Sequence, residues 1–153
     1  MRLRQLRSAP DQAKRVRLTL DSRLESVADA GAAVQAFALA AGLGETAASD
    51  LELAMVEAAN NIILHGFAGA HDKRYTVEIR VSDDEVQVTL RDRGSAIPAA
   101  ALAARVQPWS LEEEASRGLA IMRACADRFE YRRTGGYNRL VLAKRIPETR
   151  RPS

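Results

Sequence analysis

Leu51-Glu-Leu-Ala-Met-Val-Glu-Ala-Ala-Asn-Asn-Ile-Ile-Leu-His-Gly66 is the stretch on which the fold of this chain turns. Leu51, Met55, Ala58 and Ile62 recur at helical spacing and form one apolar stripe suited to a core. Leu53, Glu57, Asn61 and His65 fall on an adjacent stripe, because side chains at i and i+4 share a helix face. A carboxylate and an amide oxygen are therefore held together at the margin of a buried surface. Oxygen ligands of this kind suit Mg2+, which keeps several waters and completes its shell from substrate phosphates. A carboxylate nearby can act as a general base. The same spacing is common on solvated helix faces, so the pair alone leaves both readings open.

The flanking sequence supplies the architecture. Upstream, residues 14–20 alternate, with Val16, Leu18 and Leu20 on one face of a strand. Ser22-Arg-Leu-Glu25 has a capping-box pattern, and Leu24, Val27, Ala28, Gly31, Val34, Ala38 and Ala41 continue it as an amphipathic helix. Gly42 and Gly44 stop that helix. Thr46 can cap the next, which carries Glu57 and Asn61 and ends near Gly66, before a loop over 66–73. Downstream, Tyr75, Val77, Ile79 and Val81 alternate in one run and Val86, Val88 and Leu90 in another, joined as a hairpin by 82–85. Residues 92–116 lack periodicity, and the length of that segment predicts a functional loop or lid over 95–116. A helix is expected over 117–127. A second hairpin is expected from 128–133 and 138–145, turning at Thr134-Gly-Gly136. Hairpins with interspersed helices predict an α+β, two-layer sandwich: a mixed, mostly antiparallel sheet with helices on one face.

At 153 residues the chain is expected to form a single domain, 1–153, with its core over about 14–146 and basic, flexible ends. No apolar run approaches the length of a membrane span, and Met1-Arg-Leu-Arg-Gln-Leu-Arg7 lacks the apolar core of a secretory signal. One cysteine excludes an intramolecular disulfide and fits a reducing cytoplasm. Cys125 lies in an apolar helix and reads as a small core residue. The formal net charge is +3, with the basic excess near both ends. Such residues can bind nucleic acid, but without interleaved aromatics they read as solvated ends, and no direct nucleic-acid or membrane partner is expected.

Two further motifs follow. Asp92-Arg-Gly94 closes a strand, giving a fixed carboxylate and a backbone free to turn. It can accept a hydrogen bond from an exocyclic amine such as that of adenine, or serve as an ordinary turn. Ser116-Arg-Gly-Leu-Ala-Ile-Met122 puts a small residue, a cation and a glycine at a helix start. That is a phosphate site or a plain helix start with Ser116 as N-cap. His65 reads as a packing or capping residue and His71 as a loop residue. Trp109 with Pro108 reads as a loop anchor or a partner contact, and Glu112-Glu-Glu114 as a solvated run.

Taken in order, these motifs resemble those of the GHKL ATPase family, with its Bergerat fold. Residues 57–67 look like the N box, Asp92-Arg-Gly94 like the G1 box and 116–122 like the G2 box. The small size, the absence of a phospho-acceptor histidine helix and the phrase Arg-Gly-Leu-Ala-Ile-Met narrow the resemblance. It points to the anti-sigma-factor serine-protein kinases of bacterial partner-switching systems, the RsbW and SpoIIAB type.

The resemblance implies ATP and Mg2+ as cofactors. It implies Glu57 as the catalytic base for a Ser or Thr hydroxyl and Asn61 as the metal ligand. Asp92 would be the adenine-binding residue, and Gly94, Ser116, Arg117 and Gly118 would complete the nucleotide pocket. It implies phosphorylation of a STAS-domain antagonist, sequestration of a sigma factor or another target, and homodimerisation. Ala96 stands where the G1 box usually has a second glycine, and Ser116 where the G2 box has its first. Tyr137-Asn138 stands where the terminal hairpin often places a threonine beside adenine, and no role is carried over there. The altered glycines leave open a second function, a nucleotide-responsive anti-sigma binding module with little kinase activity. A detached histidine-kinase ATPase domain is a third reading, disfavoured by the missing dimerisation and histidine-bearing helices.

Overall fold

A repeat of two in the strands and of about 3.6 in the helices builds the molecule. The computed structural model describes residues 2–6, 14–104 and 114–148. In chain order these form β1 (Arg2–Leu6), β2 (Lys14–Asp21), α1 (Leu24–Ala40) and α2 (Glu45–Asn61), which runs on into a π-helical turn (Ile62–Gly66). Then follow β3 (Arg74–Val81), β4 (Glu85–Asp92), α3 (Ala99–Ala103), α4 (Glu114–Cys125), β5 (Arg128–Thr134) and β6 (Tyr137–Arg145). The six strands form one sheet in the order β1-β2-β3-β4-β6-β5. Each pairing is antiparallel. Helices cover one face, giving the expected α+β two-layer sandwich.

Burial sets the register. Val16, Leu18 and Leu20 of β2 pair with Ile79, Val77 and Tyr75 of β3. Val77 and Ile79 pair in turn with Leu90 and Val88 of β4, which pair with Leu140 and Leu142 of β6. All are buried. A slip of one residue would turn each apolar set to the opposite face, so the core holds the pairing in place. Against this layer α2 presents Leu51, Met55 and Ala58, and the π-helical turn presents Ile62, the stripe their spacing predicts, and all four are buried. Helix α2 is central, touching α1, α4, β4 and β6. Gly31 lets α1 come close, since a Cβ there would lie 3.1 Å from Val56 Cγ2. The last hairpin turns on Gly135 and Gly136, both at positive φ (57° and 81°), the tight turn whose twist matches a sheet.

Several local expectations are corrected. Ser22 does not cap α1; its buried Oγ donates to the Ala70 carbonyl at 2.6 Å and accepts from the Lys73 N–H at 3.1 Å. The hydroxyl is taken up by the 66–73 loop, and Arg23 occupies the N-cap position without a side-chain bond. Thr46 lies inside α2, whose N-cap is Gly44. The basic stretch at 2–6, expected to lie outside the core, forms an edge strand, because the margin of β2 offers unpaired N–H and C=O groups that a neighbouring segment can satisfy. Within 95–116, Ala99–Ala103 is helical and α4 begins at Glu114, earlier than the pattern placed it. Residues 105–113 of that segment, with Pro108, Trp109, Glu112 and Glu113, lie outside the described residues. Cys125 is half-buried at the end of α4, packed against the core. Among the described residues no helix is long and apolar enough to cross a membrane.

Leu51 and Leu53 are two residues apart on α2 but 0% and 43% exposed. Leu51→Ala is expected to cost about 3 kcal/mol of unfolding free energy, as buried leucine truncations do. Leu53→Ala is expected to stay within about 0.5 kcal/mol. Urea unfolding of both variants checks the contrast.

Candidate active site

Two cavities adjoin along the exposed side of α2. The larger, about 550 Å³, lies between the π-helical turn, the turn after β4, α3 and the start of α4. The smaller, about 120 Å³, is lined by Glu57, Asn60, Leu64, Arg117 and Gly118. Asn61, His65 and Glu114 line both. The i, i+4 spacing thus does what the sequence predicts: Glu57 faces the small cavity, and Asn61 stands at the junction.

The π-helical turn makes this junction. The Phe67 N–H donates to the Ile62 carbonyl at 2.8 Å, the wide ring of a π turn, which is common at functional sites. Its last residue, Gly66, meets the turn after β4. The Ser95 N–H donates to the Gly66 carbonyl at 2.8 Å. A Cβ on Gly94 would lie 2.6 Å from the Gly66 oxygen and 2.7 Å from its carbon, both backbone atoms. Glycine at 94 is therefore required by close approach, a stricter demand than turn geometry alone.

Asp92 ends β4 and is buried at the wall of the larger cavity. Its Oδ1 accepts from the Gly94 N–H at 2.8 Å and from Asn138 Nδ2 at 2.9 Å. Both bonds fall on one oxygen, and among the described residues Oδ2 accepts no hydrogen bond. Burial pushes the Asp92 carboxyl above its ordinary range, opposed by the Asn138 amide, the Gly94 N–H and the charge of Arg133.

Glu57 faces α4. A Cβ on Gly118 would lie 3.2 Å from Glu57 Oε2, so the absent side chain at 118 makes room for the carboxylate. Burial raises the Glu57 pKa; Arg117 opposes this and Glu114 adds to it. A carboxyl raised in this way is a stronger base than an ordinary glutamate. Ser116, Arg117 and Gly118 fall in the first turns of α4 rather than at its cap. Ser116 lines the larger cavity, and Arg117 and Gly118 the smaller. The positive end of α4 therefore points at the junction, where an anion is favoured.

Two site residues, Tyr131 and Arg133, escaped the sequence reading, and a third, Asn138, was placed by it without a role. Asn138 is 4% exposed and lines the larger cavity. Its Oδ1 accepts from Tyr131 Oη at 2.6 Å and from Arg133 Nη1 at 2.9 Å. Tyr131 in turn accepts from the Ile97 N–H at 3.0 Å, and Arg133 Nη1 donates to the Gly94 carbonyl at 2.8 Å. A signal was available: Asn138 shares the inward parity of Leu140 and Leu142. A polar residue at a core position requires partners.

A flat, largely apolar heterocycle with an exocyclic amine fits the larger cavity, where Ile62, Ile97 and Leu140 supply the walls and Asp92 the acceptor. Among the described residues no cluster of three His, Cys, Asp or Glu side chains could hold a metal by itself. The Asn61 oxygen fits a cation that takes most of its shell from water and phosphate oxygens.

The chain belongs to the family of histidine kinase-like ATPase domains, whose profile matches residues 20–144. It is also similar to the serine-protein kinase RsbW of Listeria innocua serovar 6a and of Listeria monocytogenes serovar 1/2a. Each is 28% identical over 101 residues, covering 66% of this chain and 64% of the relative. The matched stretch thus spans a little under two thirds of those relatives.

An ionised Asp92 is needed to accept an amine. Because its pKa is raised, a ligand whose amine meets Asp92 is expected to bind fully above that raised value and to be lost as the pH falls through it. ATP affinity is expected to decline on acidification earlier than an ordinary aspartate would dictate. Asp92→Asn should weaken ATP binding at neutral pH and flatten this acid limb. Calorimetric titration over the weakly acidic range checks both.

Proposed function

We propose that this protein is an ATP-dependent protein-serine/threonine kinase and anti-sigma regulator that phosphorylates a STAS-domain antagonist. The observation that carries the reading is the placement of Glu57. A carboxylate of raised pKa lies against Gly118 in a small cavity that shares Asn61 with a larger, amine-accepting one. The family match and the likeness to serine-protein kinases support it.

In this reading the larger cavity holds the adenine, with Asp92 Oδ2 accepting from its amine and Gly94 keeping the turn close. Asn61 would hold Mg2+, which would supply charge neutralisation for the phosphates. Arg117, the Gly118 backbone and Ser116, at the positive end of α4, stabilise the negative charge that develops on the transferred group. Glu57 takes the proton of a Ser or Thr hydroxyl as that oxygen bonds to the terminal phosphorus and the bond to ADP breaks. The unphosphorylated antagonist and a sigma factor, or another sequestered target, compete for the kinase, which acts in the cytoplasm as a single domain and a homodimer.

A second reading, a nucleotide-responsive anti-sigma binding module with little phosphotransfer, is favoured by Ala96 and Ser116. Both line the larger cavity where the resemblance expects glycine. Incubation with radiolabelled ATP and a STAS-domain antagonist separates the two readings.

Glu57→Gln is expected to lower phosphotransfer about 10²-fold or more while ATP binding persists. Asn61→Ala should weaken ATP binding only when Mg2+ is present. Wild-type phosphotransfer by Glu57→Gln would remove Glu57 from the role of base.

Arg117 lowers the Glu57 pKa, so Arg117→Gln should raise it further. The base is active only when ionised. The acid limb of the rate should therefore move to higher pH in Arg117→Gln, as read from single-turnover rates across pH.

A further inference from the structure

We propose that Asn138 is a positioning residue that sets base selectivity: it locks Asp92 so that a single carboxylate oxygen reads the base, while its own amide reads nothing. This rests on the nucleotide-binding reading above and deepens it. Asn138 Nδ2 donates to Asp92 Oδ1 at 2.9 Å and to the Gly94 and Ser95 carbonyls, each at 3.1 Å. Its Oδ1 accepts from Tyr131 Oη and Arg133 Nη1. An arginine has no acceptor, so the amide oxygen must face Arg133 and the amide nitrogen must face the carboxylate. With two N–H groups shared among three acceptors and both oxygen lone pairs engaged, the amide has no capacity left for a ligand.

Two consequences follow for Asp92. Its Oδ1 is filled by the Asn138 and Gly94 donors, so the ligand meets Oδ2. The same donors favour the ionised form, which accepts from an amine and rejects a carbonyl. The other groups around this carboxylate do not replace Asn138. Arg133 of β5 is exposed and spends Nη1 on the Gly94 carbonyl and Asn138. Gly66 of the π-helical turn brings no donor side chain. His65, and Glu114 of α4, line the same cavity, and among the described residues neither makes a hydrogen bond to Asp92. Without Asn138, Asp92 can protonate and turn an O–H toward a keto base.

The test uses the full chain and calorimetric titration with ATP and with GTP. Asn138→Ala is expected to weaken ATP about tenfold, the scale of losing a hydrogen bond to a buried charged group. GTP should be left no weaker, so the ATP preference narrows by about the same factor. The acid limb of ATP binding should also move to higher pH. Equal weakening of both nucleotides with an unmoved acid limb would mean a merely structural role and would overturn the proposal.

Tyr131→Phe keeps the ring and removes one donor to Asn138. It should narrow the preference in the same direction, by less. If Asn138→Ala does not fold, as judged by thermal melting, Tyr131→Phe decides: an unchanged preference overturns the proposal. A wild-type protein that binds no ATP overturns the nucleotide reading and this inference together. A selective wild type whose variants stay selective overturns this inference alone.

Discussion

The backbone of Gly94 pressed against that of Gly66 is the constraint on which the site depends. At that distance no side chain fits at 94, and the Ser95 N–H closes the contact with a hydrogen bond to the Gly66 carbonyl. The contact joins the end of β4 to the π-helical end of α2. It thereby brings Asp92, from the sheet, into one cavity with Asn61, from the helix. A straight α-helical ending would alter the path of the chain at Gly66 and the position of its carbonyl. The irregular turn is part of how the two layers meet at the site.

Burial then gives the two carboxylates different characters. Asp92 is enclosed by donors that partly restore its charge, so it is suited to holding a ligand donor. Among the described residues Glu57 has no comparable set of hydrogen bonds and is balanced between one cation and one like charge, Arg117 and Glu114, so it is suited to exchanging a proton. The same desolvation acts on both. The neighbours decide what each can do, and those neighbours come from α4 in one case and from the turn after β4, β5 and β6 in the other.

The network around Asn138 also bears on the replacement of glycine by Ala96. The turn after β4 is held by side chains: Asn138 and Arg133 donate to the Gly94 carbonyl, Asn138 donates to the Ser95 carbonyl, and Tyr131 Oη accepts from the Ile97 N–H. A turn tied at each of these groups needs less from an extra glycine. Arg123 adds a further tie, donating to the Leu102 carbonyl at 2.7 Å and so fastening the end of α3 to α4 beside the cavity.

Period and spacing alone determined much of this protein. The alternation in β2, β3, β4 and β6 and the stripe on α2 define the layers, because an apolar face must be buried and its repeat names the element. The i, i+4 relation of Glu57 and Asn61 is likewise a property of any helix. The glycines at 94, 118, 135 and 136 could be read as turns or helix positions, but not as close approaches, since that depends on which backbone or side chain arrives opposite. The caps expected at Ser22 and Thr46 failed because tertiary partners took the hydroxyl of one and the helix began ahead of the other. Asn138 was visible as a polar residue at an inward position, yet its meaning lay in Asp92, Tyr131 and Arg133, which only strand pairing brings to it. Local periodicity is written in neighbouring residues, whereas a buried polar group is defined by partners distant in the chain, and only the tertiary structure chooses those.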